Sequence, residues 1–196
     1  MEISLDKNFW DTLWQNKITG WDLKQVSPPI KVYIDSIKNK DVSILIPGCG
    51  NAYEASYLLE NGFTNVSIID ISPTLVDSLK TKFEHFLNKE VKVICGNFFE
   101  VEDKYDIIIE QTFFCALDPN LRENYATKMR NLLKDDGRLV GLLFDKTFEQ
   151  SPPFGGSKSE YQELFGKYFN IIKLESCKNS ITPRMHTELW FELKHL

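Results

Sequence analysis

The sequence predicts an α/β fold: a seven-stranded, mostly parallel sheet with an antiparallel last strand and helices on both faces. Three observations lead there. Short apolar runs rich in β-branched residues alternate with stretches of helical period, the pattern of strand–helix–strand units. The stretch "VSILIPGCGNAYEASYLLENGFTNVSIIDIS", residues 42–72, shows one such unit whole: apolar run, Gly-x-Gly turn, amphipathic stretch, second apolar run, acid. The alternation then fails near the C-terminus. Only residues 175–185, with Pro183 among them, separate the last two runs, which is too short and broken for a crossover helix. A hairpin fits that gap, giving six parallel strands closed by one antiparallel strand.

Taken in order, the first forty residues stand outside the alternation. "KNFWDTLWQNKITGWD" holds three of the four tryptophans and is followed by Pro28-Pro29. Trp10 and Trp14 are four residues apart, so one helix presents both indoles on one face. Trp21 follows after a turn at Gly20. Phe9 and Leu13, one position round that helix, read as plain packing. Strands are expected at 42–47, 66–70, 91–95, 105–110, 138–144, 168–174 and 186–193, and helices at 51–60, 74–87, 121–133 and 159–165. Ser72 before Pro73 is an N-cap ahead of a proline at the first helical position. Asn61-Gly62 and Asp135-Asp136-Gly137 are expected to stop helices, each glycine supplying a left-handed cap. The 196 residues suit one domain, with residues 1–40 as an aromatic helical lid and 41–196 as a doubly wound core.

Composition excludes more than it assigns. Hydrophobic content of 42% and charged content of 26% are ordinary for a globular chain. A formal net charge of −5 disfavours non-specific binding to nucleic acid or an anionic membrane. The four cysteines, Cys49, Cys95, Cys115 and Cys177, form no C-x-x-C pair and read as reduced apolar fillers. The three histidines have no ligand spacing relative to them, so no metal is expected. The polar start and the lack of about 18 uninterrupted apolar residues make a cytoplasmic protein the expectation.

The chemistry is concentrated at strand ends. Gly48 and Gly50 in "PGCGNAYE" let backbone come close to a ligand. A dinucleotide turn asks for a third glycine where Tyr53 stands, which weakens a pyrophosphate reading. Asp70, twenty residues after Gly50, offers a carboxylate for two ribose hydroxyls, as used for both NAD and S-adenosylmethionine. A plain glycine loop with a surface acid is the bland alternative. "CGNFF" at 95–99 leans toward S-adenosylmethionine, since Asn97 suits an adenine amine and Phe98 its ring face. An ordinary turn would also use Asn and Gly.

These motifs resemble the thiopurine S-methyltransferase family, which includes plant and microbial halide/thiol methyltransferases. The resemblance spans residues 9–174. It rests on Trp10, Trp14 and Trp21, on "PGCG" at 47–50, "FFCALDP" at 113–119, "LLKDDGRLV" at 132–140, and "PPF" at 152–154 followed by "ELFGKYFNI". "ITGWD" and "FFCALDP" are similar to the halide/thiol branch. The resemblance implies a Rossmann-like class I methyltransferase that uses S-adenosyl-L-methionine. Its site residues carry over as Trp10, Trp14, Trp21, Gly48, Asp70, Asn97, Phe98 and Gln111, and Gly50 joins them from the turn. Three positions depart from the family: Gly20 stands for a proline, Asn97 for an acid, and Gln111 for a thiopurine-type arginine. The last puts thiopurines in doubt as substrates.

The implied acceptor is a small soft nucleophile: thiol, halide, thiocyanate or a thiopurine-like compound. Neither nucleic acid nor membrane is an expected partner, and the chain is expected to act as a monomer. Indole faces over a sulfonium contribute roughly 0.5–2 kcal/mol each. An anionic nucleophile needs positioning and desolvation rather than a general base, which agrees with the lack of any Ser/His/Asp or Cys/His set. Phe113, Phe114, Phe144 and Phe154 are the expected acceptor-pocket residues, and "SPPFGG" at 151–156 reads as a lid of rigid prolines and flexible glycines. Glu110 and Asp22 are lesser possibilities for orienting an amino group, and Cys115 reads as packing. Three other readings stay open: an NAD(P)-dependent Rossmann oxidoreductase, a nucleic-acid methyltransferase and a non-catalytic S-adenosylmethionine-binding module.

Overall fold

A computed structural model describes residues 4–196; the first three residues of the polar N-terminus lie outside the described residues. Two helices, α1 (Lys7–Gln15) and α2 (Pro28–Ser36), precede the sheet. The core then alternates β1 (Ile44–Pro47), α3 (Tyr53–Glu60), β2 (Val66–Asp70), α4 (Pro73–Lys82), β3 (Val91–Cys95) and β4 (Tyr105–Gln111). It continues through α5 (Arg122–Leu132), β5 (Leu133–Phe144), α6 (Lys158–Gly166), β6 (Phe169–Ser176) and β7 (Glu188–His195). The seven strands lie in the order β3-β2-β1-β4-β5-β7-β6. β7 runs antiparallel to both neighbours, Phe191 facing Gly141 of β5 and Leu174 of β6. The hairpin expected from the short 175–185 gap is therefore present, and it inserts the last strand inside the sheet. Among the described residues no helix is long and apolar enough to cross a membrane.

Strand periodicity splits the core in two. Adjacent residues point to opposite faces, so Leu45 and Ile108 join Tyr125, Met129, Phe165 and Phe191 under α5 and α6. Ile46 and Ile109 join Ile30, Ile34, Leu58 and Leu79 under α2, α3 and α4. Because both faces are covered, β1 is buried throughout and reads as an unbroken apolar run.

Local signals account for most boundaries. The Ser72 hydroxyl accepts from the Leu75 amide, with Pro73 in the first turn of α4. Ser157 and Glu160 form a reciprocal capping box on α6. α3 ends in a Schellman motif: the Phe63 amide donates to Leu58 and that of Gly62 to Leu59, with Gly62 at φ +80°.

Residues 28–36 are helical, within the segment expected to be so, because prolines in a first turn remove amides that have no partner there anyway. Three expectations need correction. α4 stops at Lys82, five residues short of the expected 87, where the Phe83 amide closes onto Leu79 and Thr81. Gly137 is not a left-handed cap. The chain leaves α5 already extended at Leu133 (φ −83°, ψ 141°), and residues 134–137 are absorbed as the pairing jumps from Tyr105–Leu133 to Ile107–Arg138. A Cβ on Gly137 would stand 2.9 Å from the Lys134 carbonyl, so closeness selects the glycine. All four cysteines are free thiols, but only Cys49, Cys115 and Cys177 are buried fillers; Cys95 is exposed at the end of β3.

Gly62 has open space where a side chain would go, so its left-handed backbone alone sets the cost of substitution. Gly62→Ala is expected to lower urea-unfolding stability by about 1 kcal/mol. Gly166→Ala, with open space and no left-handed backbone, is expected to be neutral or to stabilise by up to about 1 kcal/mol. Equal unfolding midpoints for the two variants would remove the backbone argument.

Candidate functional site

The strand order reverses direction on either side of β1, and in doubly wound sheets the crevice at that switch point opens beyond the C-terminal strand ends. A cavity of ≈ 620 Å³ lies there, within the range of about 300–1,000 Å³ usual for small-molecule sites. The turns after β1, β2, β3, β4 and β5 all reach it. All nine residues expected to hold a cofactor line it: Gly48 and Gly50, Asp70, Asn97 and Phe98, Gln111, and Trp10, Trp14 and Trp21.

The β1 turn is shaped by close approach. Gly48 has φ +56°, and a Cβ there would overlap the Phe113 ring. Gly50 has φ +50°, and the space its side chain would take lies 3.8 Å from the Trp14 indole. The Gly50 amide donates to Asp70 Oδ2 (3.3 Å), and the Ser72 amide donates to Asp70 Oδ1 (3.0 Å). One carboxylate thus joins two turns. Burial raises its pKa, while the Ser72 and Gly50 amides pull the other way. Tyr53, in the position of the missing third glycine, also lines the cavity, its hydroxyl 3.3 Å from Asp22 Oδ2.

Polar capacity at the other turns is unevenly used. Asn97 Oδ1 accepts from the Phe99 amide (3.1 Å), so that side chain caps its own turn. Gln111 differs: its Nε2 and Oε1 are buried with no hydrogen-bond partner among the described residues. Unpaired buried polar groups cost roughly 1–3 kcal/mol each, which makes this carboxamide a ready contact for a ligand.

The N-terminal segment forms one wall. Trp10 and Trp14 each meet Trp21 edge to face, with ring centroids 5.6 and 5.8 Å apart. Phe9 and Leu13, expected as plain packing, line the cavity as well, because the helix lies along the opening rather than over the core. Asp11 fixes this helix to the body, accepting from the Ser72 hydroxyl (2.6 Å) and the Thr74 amide (2.9 Å). Asp22 accepts from Asn51 Nδ2 (2.9 Å), and Arg184 Nη2 donates to the Trp21 carbonyl (3.1 Å).

The strand-end turns contribute two of the four expected phenylalanines to the lining. Phe113 and Phe144 line the cavity; Phe114 and Phe154 do not. Phe114 is only 1% exposed and packs inward on Tyr125, Tyr161 and Phe165. Phe154 follows the lining residues Pro152 and Pro153 in a loop that is tied down rather than flexible. The Phe154 amide donates to Cys115 (2.7 Å), Arg122 donates to the Gly155 carbonyl (2.6 Å), and the Gly156 amide donates to Lys146 (3.1 Å). Side chains on Gly155 or Gly156 would overlap the Lys146 carbonyl or the Tyr161 hydroxyl, so these glycines serve packing. Two cations missed in the sequence also line the cavity: Lys146 over Phe148 (4.6 Å) and Arg184 over Phe144 (5.3 Å). Neither has spacing that marks it, since distant turns bring them together.

Glu110 is absent from the lining. It is fully buried and accepts from the Phe113 amide (2.8 Å), the Phe114 amide (3.1 Å) and the Tyr125 hydroxyl (2.8 Å), so it shapes the turn that carries Gln111 and Phe113. The Cys115 thiol is pushed up by burial, which keeps it protonated and unreactive.

Comparison with known proteins places this geometry. Residues 5–192 match the family model described as Thiopurine S-methyltransferase (TPMT). The "Probable thiol methyltransferase 2" of Arabidopsis thaliana is 32% identical over 184 residues, covering 91% of this chain and 81% of that one. The "Thiocyanate methyltransferase 1" of the same plant is 24% identical, covering 94% and 83%. In structure, the Burkholderia thailandensis 1,6-didemethyltoxoflavin-N1-methyltransferase, solved with S-adenosylhomocysteine, superposes with a TM-score of 0.76 at 15% identity, covering 96% and 86%. That likeness establishes the Rossmann-like class I methyltransferase fold. The oxidoreductase and non-catalytic alternatives find no support among these relatives.

Glu110 generates a pH prediction. Burial lifts it to about 7 from an ordinary 4.5, against the pull of its three hydrogen bonds. The native state therefore holds a proton that the unfolded chain has released, and stability falls as pH rises from 4.5 to about 7. That loss amounts to roughly 3 kcal/mol at most. Glu110→Gln is expected to flatten the slope. The check is the difference between parent and variant unfolding curves across this window, and parallel curves would exclude the assignment.

Proposed function

The chain belongs to the thiopurine S-methyltransferase family, and from that premise we propose how its cavity moves a methyl group. It is an S-adenosylmethionine-dependent methyltransferase of small nucleophiles. When bound, S-adenosylmethionine supplies a methyl group on a positively charged sulfur. The finer reading is a cytoplasmic, monomeric enzyme of one domain, with α1 and the Trp21 turn as an aromatic lid and α2 part of the core beneath.

In this reading Asp70 accepts the ribose hydroxyls, with Gly48 and Gly50 letting backbone approach. Asn97 and Phe98 border the adenine, and the Gln111 carboxamide takes a polar group of the ligand. Trp10, Trp14 and Trp21 face the sulfonium, where aromatic faces contribute roughly 0.5–2 kcal/mol each. Two features of the chain support the fit: a desolvated carboxylate that accepts from backbone amides of two turns, and a buried carboxamide without a partner among the described residues. Both gain from a polar ligand.

The acceptor enters against Phe113 and Phe144 as a soft anion, such as a thiolate, halide or thiocyanate. Supporting this, the phenylalanine wall strips hydration while Lys146 brings positive charge beside it, the charge of Arg184 being paired with Glu188. Gln111, being neutral, adds none. Positioning at near-attack distance supplies up to about 7–11 kcal/mol for such a displacement, so no general base is needed. The observation that carries the proposal is the meeting of all nine expected cofactor residues around one cavity.

Headspace chromatography with S-adenosylmethionine and iodide, bisulfide or small thiols, beside a thiopurine assay, is expected to yield volatile methylated products from the anions. Tight S-adenosylhomocysteine binding with no turnover across that panel would instead make the protein a binding module. By calorimetry, Asp70→Ala is expected to weaken S-adenosylhomocysteine binding by more than about tenfold, since two hydroxyls lose a charged acceptor. Unchanged affinity would remove Asp70 from the site.

A further inference from the structure

Resting on that reading, we propose that Asp11 is a positioning residue for cofactor capture: its carboxylate fastens the tryptophan helix to the start of α4, beside the turn that holds Asp70. α1 buries no residue completely, so apolar packing alone does not hold it in place. Among the described residues its polar attachment to the sheet-covering helices passes through Asp11 and Gln15, both reaching the start of α4. Oδ1 of Asp11 accepts from the Ser72 hydroxyl (2.6 Å) and the Thr74 amide (2.9 Å), and Oδ2 accepts from Gln15 Nε2 (2.7 Å).

The location explains why a carboxylate is used. The first turn of α4 contains no acid of its own, although helix N-termini favour negative charge. Asp11 supplies that charge from another element. The Ser72 hydroxyl and the Thr74 amide together lower the pKa of Asp11 below its ordinary value, which favours the ionised form.

Ser72, itself fully buried, connects the lid to the ribose acid. Its amide donates to Asp70 and its hydroxyl to Asp11. Helical spacing then sets direction: position 11 turns toward α4 while Trp10 and Trp14 line the cavity, Trp14 reaching to within 3.8 Å of the Gly50 side-chain position. An ordered Asp70 turn and a docked indole wall are therefore one arrangement. Removing Asp11 leaves the indoles and Asp70 chemically intact but loosens the hold of α1 on the start of α4.

The test uses the whole chain with Asp11→Ala and Asp11→Asn, the latter keeping an oxygen for Ser72 and Thr74. Asp11→Ala is expected to weaken S-adenosylhomocysteine binding about tenfold or more by calorimetry and to raise KM for S-adenosylmethionine in step, with kcat within about threefold. Acrylamide quenching of tryptophan in the ligand-free protein is expected to rise. Asp11→Asn is expected to recover affinity to within about threefold of the parent. If Asp11→Ala does not fold, Asp11→Ser shortens the side chain out of reach of Ser72 and Thr74 while staying polar, and serves in its place with the same expected loss. Affinity within about twofold of the parent in the alanine variant overturns the proposal, whether or not quenching changes. A parent that binds no S-adenosylhomocysteine overturns the cofactor reading and this inference together. A parent that binds normally, with variants that bind equally well, overturns this inference alone.

Discussion

Asp70 lies where amides from two separate turns converge on one side chain, Gly50 from the β1 turn and Ser72 from the start of α4. The rest of the site is arranged around that convergence. Gly50 can approach because its backbone is left-handed and it carries no side chain. Ser72 can donate because it is the N-cap of α4, with its own hydroxyl free to serve Asp11. Burial disfavours the charge on Asp70, and the amides of Ser72, Gly50 and Ile71 only partly offset that cost. A carboxylate in this condition is suited to accept further hydroxyl donors, which is the role the proposed function gives it.

The two walls of the cavity are held by different means. The turn that carries Gln111 and Phe113 is set by a buried acid, Glu110, which accepts two amides and a phenol from behind the wall. The aromatic segment is held from outside, through Asp11 to α4, Asp22 to Asn51, and the Trp21 carbonyl to Arg184. Polar anchors such as these on a segment with half-buried indoles describe a wall that is positioned rather than embedded. Contacts of that kind open at lower free energy than a packed core, as ligand entry requires.

Much of this was legible in the residues. Strand and helix order followed from periodicity, because burial on both faces forces continuous apolar runs and each helix must turn one apolar stripe inward. Asp70, Gly48 and the tryptophans were legible because each is an unusual residue for its local setting. What escaped notice was relational. Asp11 looks like any helix-surface acid until α4 is beside it, and Arg184 like any turn cation until Trp21 and Phe144 arrive. Gly137, Gly155 and Gly156 suggested backbone freedom, yet serve close packing against groups distant in sequence or fixed by the sheet. Phe113 and Phe114 are adjacent and identical, and only the twist of one short turn sends the first to the cavity and the second to the core.

The sequence by itself determined the order of elements, the reversal of the last strand, the glycine turn with its acid, and an aromatic N-terminal helix. All of these depend on spacing along the chain, on what a side chain of given size and polarity permits to its near neighbours. The tertiary structure alone decided which phenylalanines face the ligand space, which loop is fastened, where two cations gather, and how Asp11 meets Ser72. Those outcomes depend on distances between segments as much as 163 residues apart, and such distances are set by how helices and strands pack, which no local pattern records.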